Sequence, residues 1–134
     1  GIDYGLCEEG SLKLKEISYI NSSAFASGEL KHGTISLIEK DTPVMGIITD
    51  DNLALKTISN IKEVHARGAY SLFITSLDID GDFYDDKIKV PHINNYIDPI
   101  LIVASLQLLA YNVALLKGED IDKPRNLAKS VTVE

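Results

Sequence analysis

The chain reads as an α/β domain in which a parallel sheet carries helices on both faces. Three observations lead there. Short apolar runs alternate with helix-period segments of ten residues or more, which is the pattern of βαβ units. Two of those runs, Pro43–Thr49 and Tyr70–Thr75, are apolar at consecutive positions, as strands buried on both faces are. Helix-start signals then fall where such a chain needs them, at Asp50-Asp51-Asn52 and at Asp98-Pro99.

The elements follow in order. Gly1, Gly5 and Gly10 suggest a turn or loop over the first ten residues. Leu12, Leu14, Ile17, Ile20, Ala24 and Phe25 recur at helical spacing and predict an amphipathic helix over 11–27, capped by Ser11 and stopped by Gly28. A polar loop with Glu29, Lys31 and His32 follows. Thr34–Ile38 is too short and apolar for periodicity to decide between helix and strand. Glu39–Pro43 is a turn, and Pro43–Thr49 is the first buried strand. Leu53–Arg67 is helical, with Leu53, Leu55, Ile58, Ile61 and Val64 expected to face inward and Gly68 closing it. Tyr70–Thr75 is the second buried strand. Lys87–Pro91 is a short strand near an edge, because proline cannot donate to a ladder. Asp98 as cap and Pro99 at the first helical position open a last helix that ends near Gly118.

With 134 residues, 45% of them hydrophobic and 25% charged, the chain can build one domain core. Its net charge of −7, with no basic stripe, argues against nucleic acid and against an anionic membrane surface as partners. Pro99–Leu116 carries no charge and approaches the length of a membrane span, but Ser105, Gln107, Tyr111, Asn112 and the leading proline favour a buried core helix. Cys7 is a lone cysteine, so neither an internal disulfide nor a cysteine metal motif is available, and a reducing, cytoplasmic setting fits. The first ten residues carry no signal-peptide pattern.

Most other candidate sites read blandly. The acidic run Asp78–Asp86 has its glycine at the fourth position of a would-be calcium loop rather than the sixth, so a solvated loop is expected. No phosphate-binding glycine loop and no zinc-spaced ligand set occurs, and no cofactor is expected. His65 reads as a surface residue. His92 follows the third strand and is a candidate on position alone, since strand C-terminal ends face the ligand crevice in such sheets.

Lys13, Glu16 and His32 together make an acid–base set. By spacing alone, Lys13 and Glu16 are an ordinary helix-surface pair worth a few tenths of a kcal/mol, and a loop histidine is more often a surface residue than a catalyst. Three stretches change that balance. Gly10-Ser-Leu-Lys-Leu-Lys-Glu-Ile-Ser-Tyr-Ile20, Gly28-Glu-Leu-Lys-His-Gly33 and Pro124-Arg-Asn-Leu-Ala-Lys-Ser-Val-Thr-Val-Glu134 resemble signatures of the isomerase part of the glutamine–fructose-6-phosphate aminotransferase family. The resemblance runs over nearly the whole chain, and its terminal stretch, which no periodicity explains, is the most specific.

That resemblance implies a three-layer α-β-α sugar-isomerase (SIS) fold with a flavodoxin-like parallel sheet. Residues 1–118 would be the second of two SIS lobes, with the first strand missing or truncated, and residues 119–134 a tail covering the sugar site. It implies Glu16 as the proton-shuttling base and Lys129 as the amine that forms an imine with the open ketose. It implies His32 as the ring-opening group acting in the other subunit's site of a homodimer, Lys13 as a charge partner, and Ala128 as a backbone contact to the sugar. The implied partners are fructose 6-phosphate and glucosamine 6-phosphate, a first SIS lobe that binds the phosphate, and a glutaminase domain that supplies ammonia. Thr34, Asn21-Ser22-Ser23 and Glu9 depart from the family pattern without touching a proposed catalytic residue. A non-catalytic SIS module that binds a sugar phosphate is the alternative.

Overall fold

The structure, a computed structural model, describes residues 1–125. Helix α1 (Ile2–Ser18) leads through an irregular segment and two short 3-10 turns, Glu29–His32 and Thr34–Leu37, into strand β1 (Pro43–Ile48). Helix α2 (Asp51–His65), strand β2 (Tyr70–Thr75), strand β3 (Asp86–Lys89) and helix α3 (Asp98–Leu116) complete it. The sheet is parallel in the order β1-β2-β3, with Ile47 beside Ile74 and Ile74 beside Ile88.

Side-chain alternation splits the core across this sheet. Ile47, Ile74 and Val90 pack against Leu6 of α1 and Ile102 and Leu106 of α3. Ile48 and Phe73 point the other way, to Ala54 and Ile61 of α2 and to Leu77 and Phe83. The result is the expected α-β-α layering. Phe73 anchors the α2 side, fully buried and in ring contact with both Phe83 and Tyr84.

Four local readings are corrected. The first helix does not start at Ser11: residues 2–10 are already helical, and the helix ends at Ser18 instead of running to 27. Weak helix formers are tolerated there because tertiary packing outweighs propensity. Leu6 and Gly10 are buried, and a Cβ on Gly10 would meet Leu106 Cδ2 at 3.0 Å, so this glycine sets how closely α1 and α3 approach. Ser11, mid-helix, bonds the Ser22 hydroxyl and carbonyl oxygen at 3.0 Å. In α2 the inward set is Ala54, Asn60, Ile61 and Val64, while Leu53 and Leu55 are exposed. Asp98 does not cap α3; its carboxylate turns back to the preceding loop. Finally, α3 is not a wholly buried core helix. Ile102, Leu106, Ala110 and Ala114 form one buried stripe, whereas Ile100, Leu108, Leu115 and Leu116 are exposed. The helix is long and apolar enough to cross a membrane by length and composition, yet this packing makes it a layer of the domain.

Other readings hold as made. Asp50 caps α2, its Oδ1 accepting the Asn52 N–H at 2.9 Å. Gly68 closes the turn after α2 at φ 93°, a conformation that favours glycine. The expected turn at 126–130 and extended segment at 131–133 lie outside the described residues.

Candidate functional site

Helix α1 runs against the strands. At its first turn Asp3 accepts the Thr49 N–H at 3.0 Å and the Thr49 hydroxyl at 2.5 Å, just past the C-terminal end of β1. Ten and thirteen residues on, about 15 and 20 Å along the axis, Lys13 and Glu16 lie toward the other end of the domain. Lys13 Nζ donates to Glu16 Oε2 at 2.6 Å and lies 3.7 Å from Glu9 Oε1. The two side chains of the closer pair are 28% and 25% exposed, so solvent screens them only in part. The bond from Glu16 raises the Lys13 pKa; partial burial opposes it, and the Glu16 and Glu9 charges add to the rise. Lys13 is therefore a cation at neutral pH. It opens onto a groove between α1 and α3 formed with Ile17, Ala104, Gln107, Leu108 and Tyr111. A carboxylate held by a fixed cation beside an apolar wall can take up and return a proton at a defined point.

The same end of α1 is where the C-terminal chain returns. The Ser18 hydroxyl bonds the Leu14 carbonyl at 2.6 Å, and Tyr19 stops the helix in a left-handed conformation at φ 54°. Lys117 donates to the Ser18 carbonyl. The Arg125 N–H donates to Tyr19 Oη at 2.8 Å, with its guanidinium 3.9 Å from the Tyr19 ring centroid. The last described residue thus stands beside Tyr19, three positions from Glu16. Sequence reasoning missed this pairing. Its partners are 106 residues apart and neither carries a local signal.

Lys13 and Glu16 are brought together as their spacing predicts. His32 does not join them within the chain: its ring is 74% exposed, and Nδ1 sits 3.1 Å from Glu29 Oε2 in the first 3-10 turn. That turn is moored to α2 by Lys31–Glu63 at 3.1 Å and, just before it, by Asn60 donating to the Ser27 hydroxyl at 3.2 Å. Ala128 and Lys129 lie outside the described residues.

His92 belongs to the opposite end. Its Nδ1 is 2.6 Å from Asp98 Oδ2, while Asp98 Oδ1 accepts the Ile93 and Asn94 N–H groups at 2.8 and 3.1 Å. Burial of Asp98 pushes its carboxyl up, but the Ile93 N–H, His92 and the Asn94 N–H outweigh it and hold the group well below the usual carboxylate range. The buried Ser76 hydroxyl lies close by, outside hydrogen-bond geometry. This pair fixes the loop before α3. The acidic run is also absorbed locally: Asp78 pairs with Lys89, Asp80 with Lys87, and Asp85 accepts the Ser71 N–H at 2.7 Å. Among the described residues no three His, Cys, Asp or Glu side chains form a metal-binding group.

The chain has close relatives. It is 53% identical over 134 residues to a protein of Bacillus subtilis (strain 168) named glutamine–fructose-6-phosphate aminotransferase (isomerizing), a match covering all of this chain and 22% of that protein. A protein of the same name from Lactiplantibacillus plantarum is 57% identical over 136 residues, again covering all of this chain and 22% of the relative. The chain thus spans about a fifth of the length of these curated relatives. Among solved structures, the C-terminal domain of glucosamine-fructose-6-phosphate aminotransferase from Francisella tularensis matches with a TM-score of 0.80 and 38% identity, over 88% of this chain and 34% of that one. A glucosamine-6-phosphate deaminase from Thermotoga maritima matches with a TM-score of 0.74 and 28% identity, over 96% of this chain and 37% of that one. The SIS domain profile covers residues 1–117, and with the α-β-α layering and parallel sheet described above it makes this chain a member of the SIS domain family.

Proposed function

We propose that this chain is the second SIS lobe, with its tail, of an enzyme that makes glucosamine 6-phosphate from fructose 6-phosphate and glutamine-derived ammonia. The observation that carries the reading is the Lys13–Glu16 pair at 2.6 Å, set on the helix end where the C-terminal chain is moored. Identity of 53–57% to the named aminotransferases along the entire chain supports it.

In this reading Lys129 adds as a neutral amine to the C2 carbonyl of the open ketose and water leaves, giving an imine. Ammonia then adds at C2 and Lys129 leaves as the free amine, after which Glu16 moves a proton from C1 to C2, leaving the amino group on C2 and the aldehyde at C1, while Lys13 holds Glu16 in place and balances negative charge developing on the substrate. Lys129 is four positions beyond Arg125, a reach of at most about 14 Å, and Glu16 lies three positions before Tyr19. Ala128 contacts the sugar through its backbone. His32, exposed and paired with Glu29 within this chain, opens the sugar ring in the other subunit's site of a homodimer. A first SIS lobe binds the phosphate, a glutaminase domain delivers ammonia, and the assembled enzyme works in the cytoplasm. The isolated chain is inactive in this scheme.

The test uses the full-length protein. Incubation with fructose 6-phosphate and borohydride should reduce the imine and leave an adduct on Lys129, absent in Lys129→Arg. Product formation without that adduct would remove Lys129 from the mechanism. Sugar-phosphate binding with neither adduct nor product would favour the non-catalytic module.

A further inference from the structure

We infer that Asn60 of α2, acting through the Ser27 hydroxyl, is a positioning residue for His32; the inference rests on the ring-opening role proposed for His32 above. His32 sits in a 3-10 turn with no buried residue, and the turn that follows, Thr34–Leu37, has none either. Apolar packing alone is thus a weak hold on this imidazole. The contact with Glu29 ties it to nothing outside, because Glu29 belongs to the same turn and is itself 65% exposed. The remaining ties are polar, and they come from one side of α2.

Thr57, Asn60 and Glu63 follow at three-residue spacing, each a neighbour of the next on the helix surface. Asn60 Nδ2 donates to Ser27 Oγ at 3.2 Å, and Ser27 Oγ lies 3.4 Å from Thr57 Oγ1, which its own proton can reach. Lys31 Nζ donates to Glu63 Oε1 at 3.1 Å. These ties are unequal. The Lys31 and Glu63 side chains are 42% and 41% exposed, so solvent screens that pair. Asn60 is buried, in the inward stripe of α2 with Ala54, Ile61 and Val64. A buried amide among apolar residues costs free energy unless it is hydrogen-bonded. An apolar residue would satisfy the core alone; the amide adds a fixed point for Ser27, five positions before His32. From Ser27 the chain passes straight into the turn, with the Glu29 N–H on the Ala26 carbonyl at 2.8 Å. Hydrogen-bonded backbone therefore joins the fixed point to the imidazole.

Ring opening makes the position matter. In the furanose form of the ketose, the proton leaves the hydroxyl on C2, the C2–O5 bond breaks and O5 takes up a proton, which leaves a carbonyl at C2 and a hydroxyl at C5. A group that moves these protons must lie within hydrogen-bond reach of the atoms concerned, and a misplacement of about 1 Å can cost about 10²-fold. Asn60 and Ser27 touch no reacting atom and act only through His32. Their loss should slow ring opening and leave sugar-phosphate binding intact.

The experiment follows interconversion of the two furanose anomers of fructose 6-phosphate, labelled with carbon-13 at C2, by magnetisation exchange on the full-length protein. Interconversion requires the ring to open and reclose, so it reports that step without the later chemistry. Rates are taken above the uncatalysed background and divided by the number of sites titrated with the sugar phosphate. A purely structural role would then lower the site count and leave the rate per site alone. His32→Ala should abolish the catalysed rate. Asn60→Ala and Ser27→Ala should each slow it about tenfold, the scale of one broken polar tie to a buried group, with Kd for fructose 6-phosphate within twofold. Ser27→Ala breaks the tie from its partly exposed side and so tests it even where Asn60→Ala disturbs folding. The double variant should cost no more than either change alone. Ser27→Thr, which keeps the hydroxyl, should stay within twofold of wild type. Wild-type rates in both single variants, or additive losses in the double variant, would overturn positioning by Asn60 while the role of His32 stands. An undiminished rate in His32→Ala, or no catalysed rate in the wild type, would overturn that role, and the inference with it.

Discussion

Gly46→Ala is a single-methyl test of the packing between β1 and α2. A Cβ at Gly46 would lie 2.2 Å from Ile61 Cδ1, 3.1 Å from Ile61 Cγ1 and 3.5 Å from Phe73 Cδ2. Optimal carbon–carbon separation is about 3.5–4.0 Å, so the Ile61 δ-methyl must move by more than 1 Å. It has little room: Ile61 is 5% exposed and packs in one cluster with Ile48, Ala54 and Phe73. Overpacking of this kind costs about 1–3 kcal/mol. Alanine returns about 0.4–1 kcal/mol by restricting the unfolded chain. The net loss is about 1–2 kcal/mol, a factor of about 5–30 in the opening equilibrium. Hydrogen exchange read by mass spectrometry on peptides spanning 43–48 and 70–75 measures that opening inside the intact protein. Ile61→Val deletes the offending methyl and alone costs about 0.5–1.5 kcal/mol. In the double variant the alanine methyl takes the vacated space, so exchange should be slower than the summed losses require, by about 1–2 kcal/mol of coupling. Unchanged or slower exchange in Gly46→Ala, or strict additivity in the double variant, would refute the packing argument.

Three further outcomes are expected. Asp98→Asn keeps the shape of the side chain but removes the charge that His92 and two N–H groups face. The folded-state Asp98 carboxyl is more acidic than its unfolded counterpart, so its stabilisation is complete above the ordinary aspartate range and drains away as pH falls through the depressed folded value. Urea midpoints should therefore separate wild type from Asp98→Asn at neutral pH and converge in strong acid; a gap independent of pH would contradict this. Glu16→Gln should lower glucosamine 6-phosphate synthesis by about 10²- to 10⁴-fold while fructose 6-phosphate binding changes only a few-fold; near-normal turnover would exclude Glu16 as the base. Cys7 has its thiol pushed up to about 11, first by burial and then by Asp3 and Glu8. Its thiolate is about a hundredfold scarcer than that of a free thiol, partly offset by higher nucleophilicity. Site-resolved alkylation at neutral pH should thus run about tenfold slower than on a free thiol and climb with pH through 10; reaction at the free-thiol rate would show that the burial has been overstated.

The strands were legible because β1 and β2 are apolar on both faces, and a run such as Leu72-Phe73-Ile74 suits little else. The cap of α2 was legible because Asp50 acts within two residues of itself. The readings that failed depend on contacts distant in sequence. Gly5 and Gly10 look like loop residues until Leu106 is seen to need the space at Gly10. Leu53 and Leu55 fit an inward stripe in composition, but α2 is rotated so that Ala54 and Ile61 meet the sheet. Asp98 has the sequence of a cap and the geometry of an anchor for the loop before it. In the site, Lys13 and Glu16 were legible from their helical spacing, whereas Tyr19 and Arg125 were not, since no rule of local spacing links them.

The pairing of α1 with α3 also orders events during synthesis. Within this lobe α1 packs against α3, far on in the chain: Leu6 and Gly10 find cover in Ile102 and Leu106, and Ser18 is tied to Lys117 across 99 positions. Until α3 emerges, α1 has only the sheet to pack on and lacks the cover that Ile102 and Leu106 supply. The β1-α2-β2 unit, whose partners are near neighbours in the chain, is under no such delay, and low sequence separation favours early closure. Folding of this lobe should therefore begin in its middle and finish by joining its two ends. The helix that carries Glu16 is among the last parts to become rigid, so the acid–base pair exists only once the rest of the lobe has folded.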